Sequence, residues 1–334
     1  MKISDFDYNL PKEKIAQYPL KERESCKLMV IDRNKGKIFH TIFKEIKNFL
    51  FPGDLLILND SKVIKAKIFG RRKTGAKVEI FLLKKIDNLR YKALLRPLRR
   101  LKDKEEIELE GGFSCIIEKK DEGIVKFNFK IEDFLNKHGK MPLPPYIKRS
   151  PLKEDEEYYQ TVFGKRPGSL ASHTAGLHFN EKLLAELKEK GVKIKFITLH
   201  MSIASFKILN EENLKKEDLP EEFYSIDEEL VKILDTRDYK RLICCGTSVV
   251  RCLESYGLNK KREGFTQLFI KPGFKFKFTQ ALITNFHYPK SSHIILVASF
   301  LGLDLLKKAY KDCLLYTSDA ADDGESVDLG GRRI

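Results

Sequence analysis

Apolar residues recur along this chain with two periods, and the switch between them divides it. Lys27–Asp32 (KLMVID) reads as a strand, and Thr41–Leu50 (TIFKEIKNFL) carries apolar positions at helical spacing and predicts a helix. Pro52-Gly53 signals a turn, and Asp54–Asp60 (DLLILND) is apolar enough for a buried strand. From Lys62 to Lys130 the texture changes to short alternating or apolar runs broken by Gly, Asp or Asn: VIKAKIFG, AKVEIFLLKK, RYKALLRPL, EEIELEGG, FSCIIEKK and GIVKFNFK. Closely spaced short strands of this kind predict a small antiparallel barrel or sandwich. Pro142, Pro144 and Pro145 then stiffen an extended segment, read as a rigid linker that can also wall a cleft through Tyr146.

From Asp155 the α/β texture returns. Asn180 is placed to cap a helix whose apolar face is Leu183, Leu184 and Leu187, and Gly191 can close it. A strand (VKIKFIT), a helix (DEELVKILD), a strand (RLICCGT) and a helix (VVRCLESYG) follow. Thr266–Ile270 and Ala281–Phe286 read as further strands, and HIILVASFLG and LDLLKKAY as helices. The expected fold is an α/β main domain with a mixed sheet and flanking helices, plus an inserted small all-β barrel-like domain. The expected boundaries are 1–61 with 150–312 for the α/β catalytic domain and 62–149 for the insertion with its Pro-rich exit. The segment 313–334 is expected to be a disordered, non-native tail. It has no Lys or Phe and sets five acidic residues against two arginines.

Three corners of the α/β part carry reactive side chains. His178 precedes the capped helix, His200 follows the next strand, and Asn285 and His287 sit in ALITNFHYPKSS. Histidine titrates near neutrality, and ligands of α/β folds gather at strand ends, so these corners point to an enzyme. Each histidine has a structural alternative, a satisfied buried hydrogen bond. His173 and His178 are five apart, poor spacing for two metal ligands on one helix face, and no metal is expected.

The formal net charge of +15 points to a polyanionic partner. The six cysteines form no CxxC pair, and Cys244 and Cys245 fit a buried strand. The start lacks a signal-peptide core and no apolar run is long enough to span a bilayer, so a cytoplasmic protein without a membrane partner is expected. A monomer is the working expectation.

Ordered motifs then point to a family. IAQYPLKER (Ile15–Arg23), PGDLLILNDSKVIKAKIFG (Pro52–Gly70), LLRPLRRLK (Leu94–Lys102), PLPPYIKR (Pro142–Arg149), TAGLHF (Thr174–Phe179), TLH (Thr198–His200), GTSVVRCLES (Gly246–Ser255) and ALITNFHYPKSS (Ala281–Ser292) occur in sequence. In these the chain resembles the S-adenosylmethionine:tRNA ribosyltransferase-isomerases of queuosine biosynthesis, to about Lys311. The resemblance implies transfer and isomerisation of the ribosyl part of S-adenosylmethionine onto 7-aminomethyl-7-deazaguanine at the tRNA wobble position. Epoxyqueuosine forms, and adenine and methionine leave. S-adenosylmethionine is then a consumed co-substrate, no cofactor is required, and the partner is a tRNA with a queuosine-type anticodon.

That chemistry needs a base for the ribose carbon beside the sulfonium, a proton for departing adenine, and donors for the methionine carboxylate. His178 and His200 are the leading acid/base candidates, with Asp60 a partner for the sulfonium or the aminomethyl ammonium. Thr174, Gly176, Asn285, His287 and Arg251 are expected to bind substrate, and the helix opening after Asn180 to receive the carboxylate. Arg96, Arg99, Arg100, Lys148 and Arg149 are expected to meet tRNA. The chain departs from the family pattern at His173, where Pro is common, at Met201–Phe206 (MSIASF), in GTSVVR, at Asp218–Tyr224 (DLPEEFY) and at its end. Two other classes compete: a non-catalytic RNA-binding protein, favoured by the charge and the β insertion, and a histidine-based hydrolase, favoured by His178 and His200 alone.

Overall fold

A central strand of unbroken apolar sequence organises the larger part of the molecule. The structure, a computed structural model, describes residues 1–203, 208–217 and 219–319. Residues 320–334, to which most of the expected tail belongs, lie outside the described residues, as do 204–206 and 218 of the two altered segments. The chain divides into two compact units. One comprises Met1–Lys62, Pro144–Ser150 and Glu157–Ile334; the other comprises Val63–Leu143 and Pro151–Glu156.

In chain order the strands are β1 (Lys27–Asp32), β2 (Lys37–Ile42), β3 (Leu55–Asn59), β4 (Ser61–Val63), β5 (Lys67–Arg72), β6 (Lys77–Lys85), β7 (Arg90–Arg96) and β8 (Glu105–Leu109). There follow β9 (Ser114–Lys119), β10 (Ile124–Phe127), β11 (Arg166–Ser169), β12 (Lys193–Leu199), β13 (Glu222–Ile226), β14 (Leu242–Cys245), β15 (Glu263–Thr266) and β16 (Ala281–Ile283). The helices are α1 (Ile131–His138), α2 (Asp155–Tyr158), α3 (Glu181–Glu189), α4 (Glu211–Lys216), α5 (Glu228–Thr236), α6 (Thr247–Asn259), α7 (Ser292–Leu301) and α8 (Leu303–Asp319).

The first unit is built on a six-stranded sheet in the order β15-β13-β12-β3-β14-β16. β12, β3, β14 and β16 run parallel; β13 and β15 are antiparallel additions on one side. Parallel strands are covered on both faces, which is why β3 reads LLILN without polar alternation. Its odd positions Leu55 and Ile57 join Leu230 and Leu234 of α5 and Val249, Val250 and Leu253 of α6 in one core. Its even positions Leu56 and Leu58 join Phe43, Phe179 and Leu183, Leu184 and Leu187 of α3 on the other face. Asn180 caps α3, its Oδ1 accepting from the Leu183 amide at 2.8 Å. A third core holds α7 and α8 with Phe6 and Met29, and Cys313 is buried within it. α8 continues through Cys313 to Asp319, so the start of the expected tail is helical.

The second unit closes β10-β7-β6-β5-β8-β9 into an antiparallel barrel. Tyr91, Ala93 and Leu95 of β7 alternate inward with period two, as the sequence pattern requires. The unit is not purely β: Ile131, Phe134 and Leu135 form the buried face of α1.

Three predicted elements differ. The helix predicted over Thr41–Leu50 begins instead as the end of β2, with Thr41 opposite Leu28 and Ile42 opposite Lys27, and only Phe43–Asn48 coils, as a 3₁₀ turn. Cross-strand pairing of β-branched residues overrides the helical spacing there. The strand predicted over Thr266–Ile270 stops at Thr266, because side chains take the following backbone groups. The Leu268 amide donates to Thr266 Oγ1 at 3.1 Å and its carbonyl accepts from Arg251 Nε at 3.0 Å. The strand predicted over Ala281–Phe286 ends at Ile283, and Thr284–His287 turns into a cavity wall.

Candidate active site

All four parallel strands end at the same edge of the sheet, and each hands over to a polar segment. Asn59, Asp60 and Ser61 follow or close β3, His200 follows β12, Gly246–Ser248 follow β14 and open α6, and Thr284–His287 follow β16. A cavity opens there, lined by Ser172–Ala175, Gly246–Ser248, Thr284–Tyr288, Tyr146, Met201, Ser291 and His293. Among the described residues the wall carries no Lys, Arg, Asp or Glu, so its recognition groups are hydroxyls, amides, backbone and imidazoles.

Asn59 organises the floor. Its Oδ1 accepts from the amides of Ser61 at 3.0 Å and Leu199 at 3.1 Å. Its Nδ2 faces the Leu199 carbonyl and His173 Nδ1, each at 3.0 Å, and Ser248 Oγ at 3.2 Å. Burial, reinforced by nearby His200, pushes the His173 pKa down to about 3, so this ring is neutral. α6 begins at Gly246, whose φ of +97° favours glycine, and its first amides lack intrahelical acceptors. α7 also opens on the cavity, capped by Ser291 Oγ on the Ile294 amide at 3.3 Å.

The expected site residues separate into groups. Thr174, Asn285 and His287 line the cavity. Thr284 Oγ1 lies 2.9 Å from His287 Nε2, and the His287 ring stacks on His293 at 5.1 Å. Burial and then His293 hold the His287 pKa well below its ordinary value. His178 lies outside the lining: its Nδ1 is 2.9 Å from Cys26 Sγ, its Nε2 is 3.5 Å from Asn285 Nδ2, and Phe43 packs on it. Gly176 is also off the wall; a Cβ there would meet Phe163 Cζ at 2.8 Å, so its smallness serves packing.

His200 lies beside the cavity wall rather than on it. Its Nδ1 meets Ser61 Oγ at 2.6 Å, and its ring stacks on Phe223. Gly168 leaves room for that ring: a Cβ there would fall 2.6 Å from Nε2. Burial lowers the His200 pKa, Asp60 opposes this, and Arg166 adds to it. Asp60 Oδ1 accepts from Thr198 Oγ1 at 2.6 Å, while Arg166 Nε lies 4.0 Å from Oδ2. Asp60 therefore already faces an internal cation.

Arg251 is committed internally. Its guanidinium pairs with buried Glu222 and donates to the carbonyls of Leu268 and Thr266, which leaves it little capacity to clamp a ligand. The helix expected to receive the carboxylate, α3 after Asn180, contributes no residue to the lining, while α6 and α7 open onto it. Lys148 and Arg149 bind loop carbonyls, of Pro145 at 2.7 Å and Gln17 at 2.7 Å. In the second unit Arg99 and Arg100 are exposed, and Arg96 lies 3.9 Å from Glu79. Sequence reasoning missed Ser172, Thr247, Ser248 and His293; the Gly-Thr-Ser run between a strand and a helix was the available signal. Among the described residues no group of three or more His, Cys, Asp or Glu is placed to hold a metal ion, and no helix is long and apolar enough to cross a membrane.

Comparison with known proteins places this geometry. The family model described as "Queuosine biosynthesis protein" matches residues 3–315. The S-adenosylmethionine:tRNA ribosyltransferase-isomerase of a Sulfurihydrogenibium species is 46% identical over 316 residues, 93% of this chain and 94% of the relative. That of Carboxydothermus hydrogenoformans is 42% identical over 321 residues, again 93% and 94% of the two chains. The crystal structure of S-adenosylmethionine tRNA ribosyltransferase from Thermotoga maritima superposes with a TM-score of 0.52 at 33% identity, covering 94% of this chain and 95% of that one. With a family match across nearly all the described residues, a mixed sheet and a closed barrel in the order expected, this chain belongs to the queuosine biosynthesis protein family.

Proposed function

We propose that the chain transfers and isomerises the ribosyl moiety of S-adenosylmethionine onto 7-aminomethyl-7-deazaguanine at the tRNA wobble position, giving epoxyqueuosine and releasing adenine and methionine. The observation that carries this reading is one cavity at the parallel strand ends, walled by residues of TAGLHF, GTSVVR and ALITNFHYPKSS. The co-substrate occupies that cavity. His287, on the wall and held neutral, is the group best placed to take the proton from the ribose carbon beside the sulfonium. His200, also neutral and oriented by Ser61, is the second candidate. Asp60 supports His200 electrostatically rather than meeting a cationic substrate. Exposed Arg99 and Arg100 of the barrel, with Arg96, supply cations for tRNA phosphates. The enzyme works in the cytoplasm as a monomer, with no resident cofactor.

The test is incubation with S-adenosylmethionine and tRNA carrying the aminomethyl-deazaguanine base, followed by nucleoside mass spectrometry. The expected product is the epoxycyclopentane nucleoside, with free adenine and methionine. A methylated nucleoside, or unchanged substrate, overturns the reading.

A further inference from the structure

Among the buried polar atoms of the cavity wall, His173 Nε2 is the one whose proton can be placed. The Asn59 amide is oriented without ambiguity, because its oxygen accepts two backbone N–H groups, from Ser61 and Leu199. Its nitrogen is therefore the side facing His173 Nδ1 at 3.0 Å, and the tautomer that satisfies this contact has Nδ1 accepting. The neutral ring then carries its single proton on Nε2. That N–H is buried, 5% of the residue is exposed, and it has no hydrogen-bond partner among the described residues. Ser172 Oγ beside it in sequence, also buried on the wall, likewise has none among the described residues. A lone buried donor is costly, typically about 1–3 kcal/mol, and in native proteins it calls for an explanation.

The surroundings indicate what would complete it. The α6 N-terminus lies on the same wall, and Ser248 Oγ is 3.4 Å from His173 Nδ1. A helix N-terminus and a neutral N–H donor together suit an anionic oxygen group, and among the described residues no carboxylate of the wall competes for them. Two sources present such a group, the carboxylate of a methionyl moiety and a tRNA phosphate. The wall offers neutral donors and no Lys or Arg, which suits one small, fully desolvated carboxylate better than a polyanionic backbone.

We infer that His173, with the α6 N-terminus, is a positioning and specificity residue that binds the methionyl carboxylate of S-adenosylmethionine through Nε2–H. The inference rests on the function proposed above. Nε2 is buried at the wall, so the carboxylate reaches it with a side-chain displacement there.

Two substitutions separate this role from a structural one. His173→Asn keeps an acceptor where Nδ1 sits and removes the Nε2 donor; His173→Gln keeps a donor near Nε2 and removes the acceptor toward Asn59. Binding of S-adenosylmethionine and of its decarboxylated analogue is measured by calorimetry on full-length protein, with tRNA affinity in parallel and thermal melts for folding. The expected result is an affinity for S-adenosylmethionine about 10–100-fold weaker in the Asn variant, near wild type in the Gln variant. The decarboxylated analogue should bind the wild type weakly and be insensitive to the Asn change. Equal losses for both ligands, rescue by Asn instead of Gln, or a loss of tRNA affinity alone overturns the inference while wild-type turnover leaves the proposed function standing. A wild type that binds no S-adenosylmethionine and forms no product sinks both.

Discussion

Two histidines that look alike in sequence, His178 and His287, occupy opposite situations. His287 lines the cavity and is kept neutral by burial, whereas His178 is enclosed by Cys26, Phe43 and Asn285. His287→Ala should lower single-turnover rates by about 10²–10⁴-fold with the melting temperature little changed. His178→Ala should mainly lower stability, by about 1–3 kcal/mol, for a lost buried hydrogen bond and ring contact. The pair is decided by running denaturation and saturating-substrate kinetics on both variants; a larger rate loss at His178 would reverse the assignment. At this scale the sequence marks the reactive residue types and their corners, because Asn, His and Ser next to apolar strands are unusual. It does not mark which ring nitrogen meets which partner. Asn59 and His173 are 114 positions apart, and only the fold makes them neighbours.

Elements built from local signals were legible, and those decided by distant side chains were not. The capped helix α3, the apolar strand β3 and the alternating strands of the barrel follow from spacing, caps and turn residues. The end of β15 was hidden, because it depends on Arg251 reaching from α6 to the carbonyls of Thr266 and Leu268. The same guanidinium pairs with Glu222 on β13, so one ion pair fastens a helix to two antiparallel strands. Glu222→Ala leaves that buried guanidinium uncompensated and should cost about 3–5 kcal/mol in urea unfolding. A loss below about 1 kcal/mol would show that water or another acceptor replaces the carboxylate. The α6 N-terminus remains in place in this variant if S-adenosylmethionine affinity survives, which separates fastening from ligand binding.

For the molecule as a whole, three imidazoles, His173 buried and His200 and His287 half-buried, set the acid side of stability. His173, at about 3, and His200 and His287, both lowered, bind fewer protons folded than the unfolded chain does at its ordinary value of about 6.5. Stability is therefore full above about pH 6.5 and falls as pH drops from there toward 3. Each group contributes a slope of at most about 1.4 kcal/mol per pH unit. His173→Asn should flatten this acid limb in melts taken from pH 7 to pH 4; an unchanged limb would mean that the ring is protonated without penalty. Charge acts at the same scale in the barrel unit. Reversing Arg99 and Arg100 should weaken tRNA binding and reduce its salt slope by about 1–2, with S-adenosylmethionine affinity intact. Equal tRNA affinity at several salt concentrations would remove the barrel from the RNA-binding surface. Closure of that barrel has a further consequence, for how the protein behaves when crowded. A ring of paired strands offers no unpaired edge to another chain, whereas the six-stranded sheet ends on β16, three residues long, and on β15, where Phe265 is 59% exposed. Self-association in concentrated solution should therefore nucleate on β15, and Phe265→Lys should raise the concentration at which light scattering begins; scattering that starts at the same concentration would place the sticky edge elsewhere.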